Sequence, residues 1–260
     1  MKKGDVISAV ILLVSSALLL ALAPDKLTMI VIAVMGVLML LGYFASVLPS
    51  SHYSAGFRHA SKLIEEKRRI QSQNMWITIA RTDALFMNET LDRMFNDYKE
   101  KIKRRAQESS RSLYDLSDVI NEQALEVKTW QRVTSQIPNT LTALGILGTF
   151  IGLIDGISDI RFSSVDVAVV SIQSLLAGIS TAFYTSVGGV VLSIIYTVVS
   201  RIMWSLMLQN MDTFYHDYHM YVSDPAEVRD KLVRNANARE ILKDLNELVS
   251  MHRVEDSQDE

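Results

Sequence analysis

The chain has 260 residues and no cysteine, is 49% hydrophobic and 21% charged, and carries a formal net charge of -3 with pI near 6.0. Without Cys there is no disulfide framework, thiol nucleophile or zinc-thiolate site, and the five scattered His form no His-rich metal cluster. The lack of a basic excess argues against a nucleic-acid partner, and a mean hydropathy of +0.18 beside ordinary charge content implies that apolar and charged residues are segregated along the chain.

Residues 6–23 and 27–48 contain no charge, and only Pro24-Asp25-Lys26 separates them. Segments of about 18 and 22 residues are close to the ~20 that cross the hydrocarbon core, so residues 1–48 are predicted to form a transmembrane hairpin. A signal peptide cleaved after Ala21-Leu22-Ala23 is the competing reading. It is disfavoured by Pro24 at the cleavage point, whereas an intact hairpin uses both segments.

Residues 49–136 are polar and charge-dense, with Leu85, Leu91, Phe95 and Tyr98 at heptad-like positions, and are predicted to form helices with one face in water. The charge runs at 65–69 and 99–105 read first as solvated helix faces and second as docking patches for a partner or anionic lipid. Asp83, Asp92 and Asp97 read as solvated charges. Two further apolar stretches, 138–160 and 168–200, are joined by a short polar loop containing Arg161 and Asp166. They make residues 137–203 a second pair of spans, the fourth stretch reaching ~50 Å and so projecting beyond the bilayer. Residues 204–260 are predicted to continue as a helical tail. Ser223-Asp224-Pro225 marks a stop and restart, Ile241, Leu245 and Leu248 form an apolar stripe, and the acidic end at 255–260 frays.

The basic residues set the topology. Two lie before the first span, fifteen between the second and third, and seven after the fourth, while Lys26 and Arg161 alone occupy the short hairpin loops. The positive-inside rule then puts both termini and the middle region in the cytoplasm. The expected fold is an all-α integral membrane protein of four transmembrane helices with long cytoplasmic helical extensions.

Thr142, Gly145, Thr149, Gly152 and Gly156 recur three and four apart in the third span, and Ala182, Ser186, Gly189 and Ser193 do so in the fourth, flanked by Gly178, Thr181 and Thr185. Each set falls on one helix face, where neighbours can approach closely. Packing alone accounts for the glycines. The mid-span hydroxyls of Thr149 and Ser186 leave two readings open: they coordinate or hydrate a passing ion, or they bond to the preceding turn's carbonyl. Spans one, two and four contain no Asp or Glu, and the third has only Asp155 and Asp159 toward its outer end. Asp155, about 9 Å past Thr149, is a candidate for the outer mouth. Hydroxyls do not titrate usefully, so a proton carrier near Thr149 and Ser186 must be a carboxylate from another chain.

The run IPNTLTALGILGTFIGL at 137–153, followed by GISTAFYTSVGG at 178–189, resembles the paired core motifs of the MotA/TolQ/ExbB proton-channel superfamily. The resemblance covers roughly residues 135 to 203, and LGTFIG is its most specific part. It implies a homopentamer around a dimer of a single-span MotB/TolR/ExbD/ZorB-like protein whose membrane Asp carries the ion. It also implies a multi-pass protein of the bacterial inner membrane. Carried onto this chain, Thr149, Ser186, Thr181 and Thr185 line the ion path, while Gly145, Gly148, Gly152, Gly178 and Gly189 pack the pore helices. TolQ and ExbB have a Glu where this chain has Thr181, which argues against a close Tol or Exb orthologue. Four spans favour a MotA-like flagellar stator, and the LGILGTFIG wording favours the ZorA branch, whose members serve in anti-phage defence. ZorA proteins usually carry a longer tail than the roughly 60 residues here, so the branch stays open.

The expected function is an ion-conducting motor or stator subunit that translocates H+ or Na+ and needs no cofactor. The rival from another class is a non-conducting oligomeric scaffold in the lipid bilayer. No nucleotide loop, nucleophile-base set or metal spacing suggests an enzyme.

Overall fold

The computed structural model describes residues 3–70, 75–107, 115–158, 160, 165–222 and 243. Within them the chain is all-α: α1 Lys3–Ala21, α2 Lys26–Gly42, α3 Leu48–Ile70, α4 Met75–Ala80, α5 Glu89–Gln107, α6 Glu122–Lys128, α7 Gln131–Thr134, α8 Ile137–Ser158 and α9 Val165–Tyr221. Four helical stretches are long and apolar enough to cross a membrane, and the chain is a multi-pass membrane protein. The expected tail features at 223–225, 241–248 and 255–260, and the loop charges Asp159 and Arg161, lie outside the described residues.

Two prolines mark boundaries: Pro24 sits in the hairpin turn, and Pro138 occupies the first turn of α8, where a missing N–H costs little. Pro49 instead lies inside a helical run unbroken from Lys26 to Ile70, two residues after a π-helical segment that ends at Val47. No proline falls between Pro138 and Pro225, and α9 accordingly runs uninterrupted for 57 residues, about 86 Å at helical rise. That is well beyond the ~50 Å of its apolar stretch. A departure from the sequence expectation is the π-helical segment Tyr43–Val47, which links α2 to α3.

The chain divides into two compact units. The first comprises Met1–Ser54 and Leu125–Gln209. Its core is Leu12, Ile32, Met35, Met39, Tyr43, Val47, Ile137, Leu141, Leu192, Tyr196 and Val199, drawn from all four spans. Its outer surface is also apolar: Ile7, Val14, Leu18, Ile30, Leu41, Phe150, Ile154 and Phe183 are all at least 57% exposed. Water would penalise such a continuous surface, whereas a bilayer or a neighbouring membrane helix would not. At the base of α1, Asp5 is buried, the Ser51 hydroxyl donates to its carboxylate, and the Tyr43 hydroxyl donates to its backbone oxygen at 3.0 Å.

The second unit comprises Ala55–Ala124 and Asn210–Glu260. Its described core is aromatic, with Phe57, Phe86, Phe95, Tyr98, Phe214 and Tyr218 buried and the Phe86 and Phe214 rings 5.0 Å apart edge to face. Leu85, Leu91, Phe95 and Tyr98 are buried as expected, yet Leu85 belongs to an irregular segment between α4 and α5. Asp92 departs from its reading as a solvated charge: its carboxylate accepts the Phe86 and Asn88 amides at 2.8 and 3.0 Å, pinning that segment to α5. The charge runs are solvated only in part: Arg69–Glu65 and Arg104–Glu100 are exposed i,i+4 pairs, whereas Arg68 lies over the Tyr221 ring at 4.1 Å and the Lys99 ammonium donates to the Ala80 carbonyl at 3.1 Å.

Candidate functional site

Glycine brings α8 and α9 to backbone contact. The neighbours run in opposite order along the two helices: Gly145 faces Gly189, Gly148 faces Thr185, Gly152 faces Gly178 and Ala182, and Gly156 faces Gly178. The helices are therefore antiparallel. A methyl group on Gly178 would lie 2.5 Å from the Gly152 carbonyl oxygen and 2.7 Å from the Gly156 Cα. One on Gly189 would lie 2.7 Å from the Leu141 carbonyl oxygen. Only glycine permits this separation, as in small-residue packing between membrane helices generally.

The four hydroxyls singled out by sequence fall into two pairs. Thr181 and Thr185 are buried inside the chain, 7% and 0% exposed. The Thr185 hydroxyl donates to the Thr181 carbonyl at 3.0 Å, and its side chain fills the space opposite Gly148. Thr149 and Ser186 are half-buried. Thr149 follows Gly148, and Ser186 follows Thr185, the residue facing Gly148; each step turns about 100° around its helix. Because the helices are antiparallel, the two steps turn to the same side of the pair, at nearly the same height. The Thr149 hydroxyl donates to the Ile146 carbonyl at 2.6 Å. That bond uses the hydroxyl's proton and leaves oxygen lone pairs as acceptors, so back-bonding and ion contact are compatible at this residue. Asp155 is exposed and precedes Gly156, so it turns to the other side of the pair.

The acid that sequence reasoning passed over is Asp25. It caps α2 in an extended conformation, accepting the Thr28 amide at 2.7 Å, and it accepts the Thr181 hydroxyl. Burial pushes this carboxyl up, but the hydrogen bonds from Thr181 and Thr28 outweigh it and hold the group below its ordinary value of 3.8. The Asp25-Lys26-Leu27-Thr28 spacing carries a capping signal legible in the sequence, whereas contact with a residue 156 positions away is not. Tyr184 makes a parallel tie, its hydroxyl donating to the Leu19 carbonyl at 2.7 Å. Among the described residues no three His, Cys, Asp or Glu are grouped to hold a metal.

The structure thus presents a glycine-tight, antiparallel helix pair with two hydroxyls on one side. A family model, the MotA/TolQ/ExbB proton channel family, matches residues 81–215, just over half of the chain. A segment of 59 residues is 46% identical to the Zorya protein ZorA of Escherichia coli; it spans 23% of this chain and 10% of that protein. The match embraces both the polar region before α8 and the α8–α9 pair, and the chain belongs to the MotA/TolQ/ExbB proton channel family.

Proposed function

We propose that the chain is the ion-path subunit of an ion-driven motor in the bacterial inner membrane, with both termini in the cytoplasm. It assembles as a homopentamer around a dimer of a single-span partner carrying a membrane Asp. The observation that carries this reading is the placement of Thr149 and Ser186 on one side of the α8–α9 pair at matching height. Their oxygens offer lone pairs to a cation but bind and release no proton near neutral pH, so the titrating group is the partner's carboxylate. Each protonation or cation exchange at that carboxylate changes which subunit best accommodates it. Rotation of the ring about the dimer follows as a sequence of biased states. The conducted ion is H+ or Na+.

Similarity to the Zorya protein ZorA supports an anti-phage defence motor over a flagellar or Tol/Exb-type energiser. Partner-dependent proton or sodium flux into vesicles tests the path. The Thr149→Ala/Ser186→Ala double variant is expected to lose most of that flux while assembling normally. Unchanged flux would remove both residues from the path and favour a non-conducting scaffold.

A further inference from the structure

The chain re-enters the membrane through α7, and two contacts fix its depth there. The Ser46 hydroxyl, in the π-helical segment that follows α2, donates to the Gln131 side-chain oxygen. Ile137, the first residue of α8, packs against Gly42 at the end of α2. Residues 127–133 therefore lie where two spans leave the hydrocarbon core, at the level of the lipid headgroups. Three large apolar side chains stay uncovered there: Val127, Trp130 and Val133 are 73%, 64% and 61% exposed. With Glu126 and Arg132 they line a groove of about 240 Å³. Trp130 separates α6 from α7 at a φ of 51°, in the left-handed region where a bulky side chain is strained and Gly or Asn is the usual occupant. A strained backbone that holds an indole ring outward points to a use beyond the fold.

Size and charge select the occupant. One turn of a helix with its side chains fills roughly 400–600 Å³, more than the groove holds, which leaves a group of headgroup size. Arg132 pairs with Glu126 at 3.5 Å, and its guanidinium keeps N–H donors beyond that contact. Lys128 adjoins the groove, is exposed, and has no ion-pair partner among the described residues. Two cations against one carboxylate leave a positive balance beside an apolar wall, at the depth where Trp is favoured and basic residues attract anionic lipid. We propose that Val127, Trp130 and Val133, with Lys128 and Arg132, form a docking site for an anionic phospholipid. Its phosphate meets the two cations, and its glycerol and upper acyl carbons lie against Trp130 and the valines. The bound lipid fastens the corner between α6 and α7 to the membrane surface and so sets the height at which α8 enters the bilayer. The site rests on the four spans and not on conduction, orientation or the number of subunits.

The test is quenching of Trp130 fluorescence in nanodiscs that hold the purified assembly of the full chain, the other two tryptophans replaced as Trp76→Phe and Trp204→Phe. The nanodiscs carry a fixed fraction of lipid brominated on the upper acyl chain, either phosphatidylglycerol or phosphatidylcholine. A basic residue at a membrane surface enriches anionic lipid about fivefold, so brominated phosphatidylglycerol is expected to quench Trp130 about two- to fivefold more efficiently than brominated phosphatidylcholine. Lys128→Gln/Arg132→Gln is expected to bring that ratio to one or below. Equal quenching by the two lipids, or a ratio unchanged in the double variant, would overturn the site. Quenching by acrylamide from water but by neither lipid would overturn it by leaving the corner in solvent, and quenching by none of the three would overturn it by assigning the groove to a neighbouring protein chain. If the Trp76→Phe/Trp204→Phe background does not fold, the difference in emission between the natural chain and Trp130→Phe isolates the same signal, with the same outcomes.

Discussion

The cost of a methyl group differs sharply among the glycines of the membrane unit, and backbone proximity explains why. At Gly178 the added carbon would meet backbone atoms of Gly152 and Gly156, which can retreat only if α8 and α9 part. At Gly188 it would meet a single atom, the Cδ1 tip of Ile32 at 2.7 Å, which a rotamer change can move. Gly178→Ala is therefore expected to destabilise the chain by roughly 1–3 kcal/mol, the usual cost of overpacking, and Gly188→Ala by clearly less. Thermal unfolding of both variants in one detergent or nanodisc preparation checks the order, and equal losses would contradict it. The same contacts explain how far the site was legible in the sequence. The small-residue spacing marked both helices and placed Thr149 and Ser186 at one depth. It could not separate them from Thr181 and Thr185, because which face of α9 meets α8 depends on the register of the two helices. Asp25 was hidden for a related reason: its partner Thr181 is brought to it only by the packing of the first hairpin on α9.

At the scale of elements, the segment between Ala80 and Glu89 shows a structure made by one side chain. With a single carboxylate Asp92 satisfies the Phe86 and Asn88 amides, and the Asn88 side chain accepts the Thr90 and Leu91 amides at the start of α5. Met87 sits among them at a φ of 49°, a backbone conformation that an unbranched side chain enters only under such constraint. Removing the carboxylate leaves two amides without their partner. Asp92→Ala is expected to cost the second unit roughly 1–3 kcal/mol and to make the segment an early site of limited proteolysis, with Asp92→Asn milder. Protease resistance unchanged in Asp92→Ala would contradict that role. Apolar runs and charge asymmetry made the four spans legible because both are properties of contiguous sequence. The irregular segment and the π-helical link at Tyr43–Val47 were not, since a carboxylate reaching back to amides and a widened helical turn leave no periodic trace. Buried Asp5 was missed likewise, its partners Tyr43 and Ser51 arriving from elements far along the chain.

For the whole molecule the question is what covers the outward face of the α8–α9 pair. Phe150 and Ile154 on α8, and Phe183 and Val187 on α9, are between 58% and 70% exposed. In a ring each subunit's contact is heterologous: one surface of a protomer meets a different surface of the next, and rotation closes the circle. A single cysteine then seldom meets its own copy, whereas two cysteines, one on each contacting surface, link every subunit to the next. The chain contains no cysteine, so such pairs can be introduced without removing any native thiol. Substitutions pairing one outward position of α8 with one of α9, such as Phe150→Cys with Phe183→Cys and the neighbouring combinations, are expected to include a pair that oxidises in membranes to a ladder ending at five subunits. Either single variant is expected to stop at dimers. Ladders ending at two in every combination would instead indicate an isologous pair, in which each surface meets its own copy, and the proposed pentamer around a central partner would fall with it.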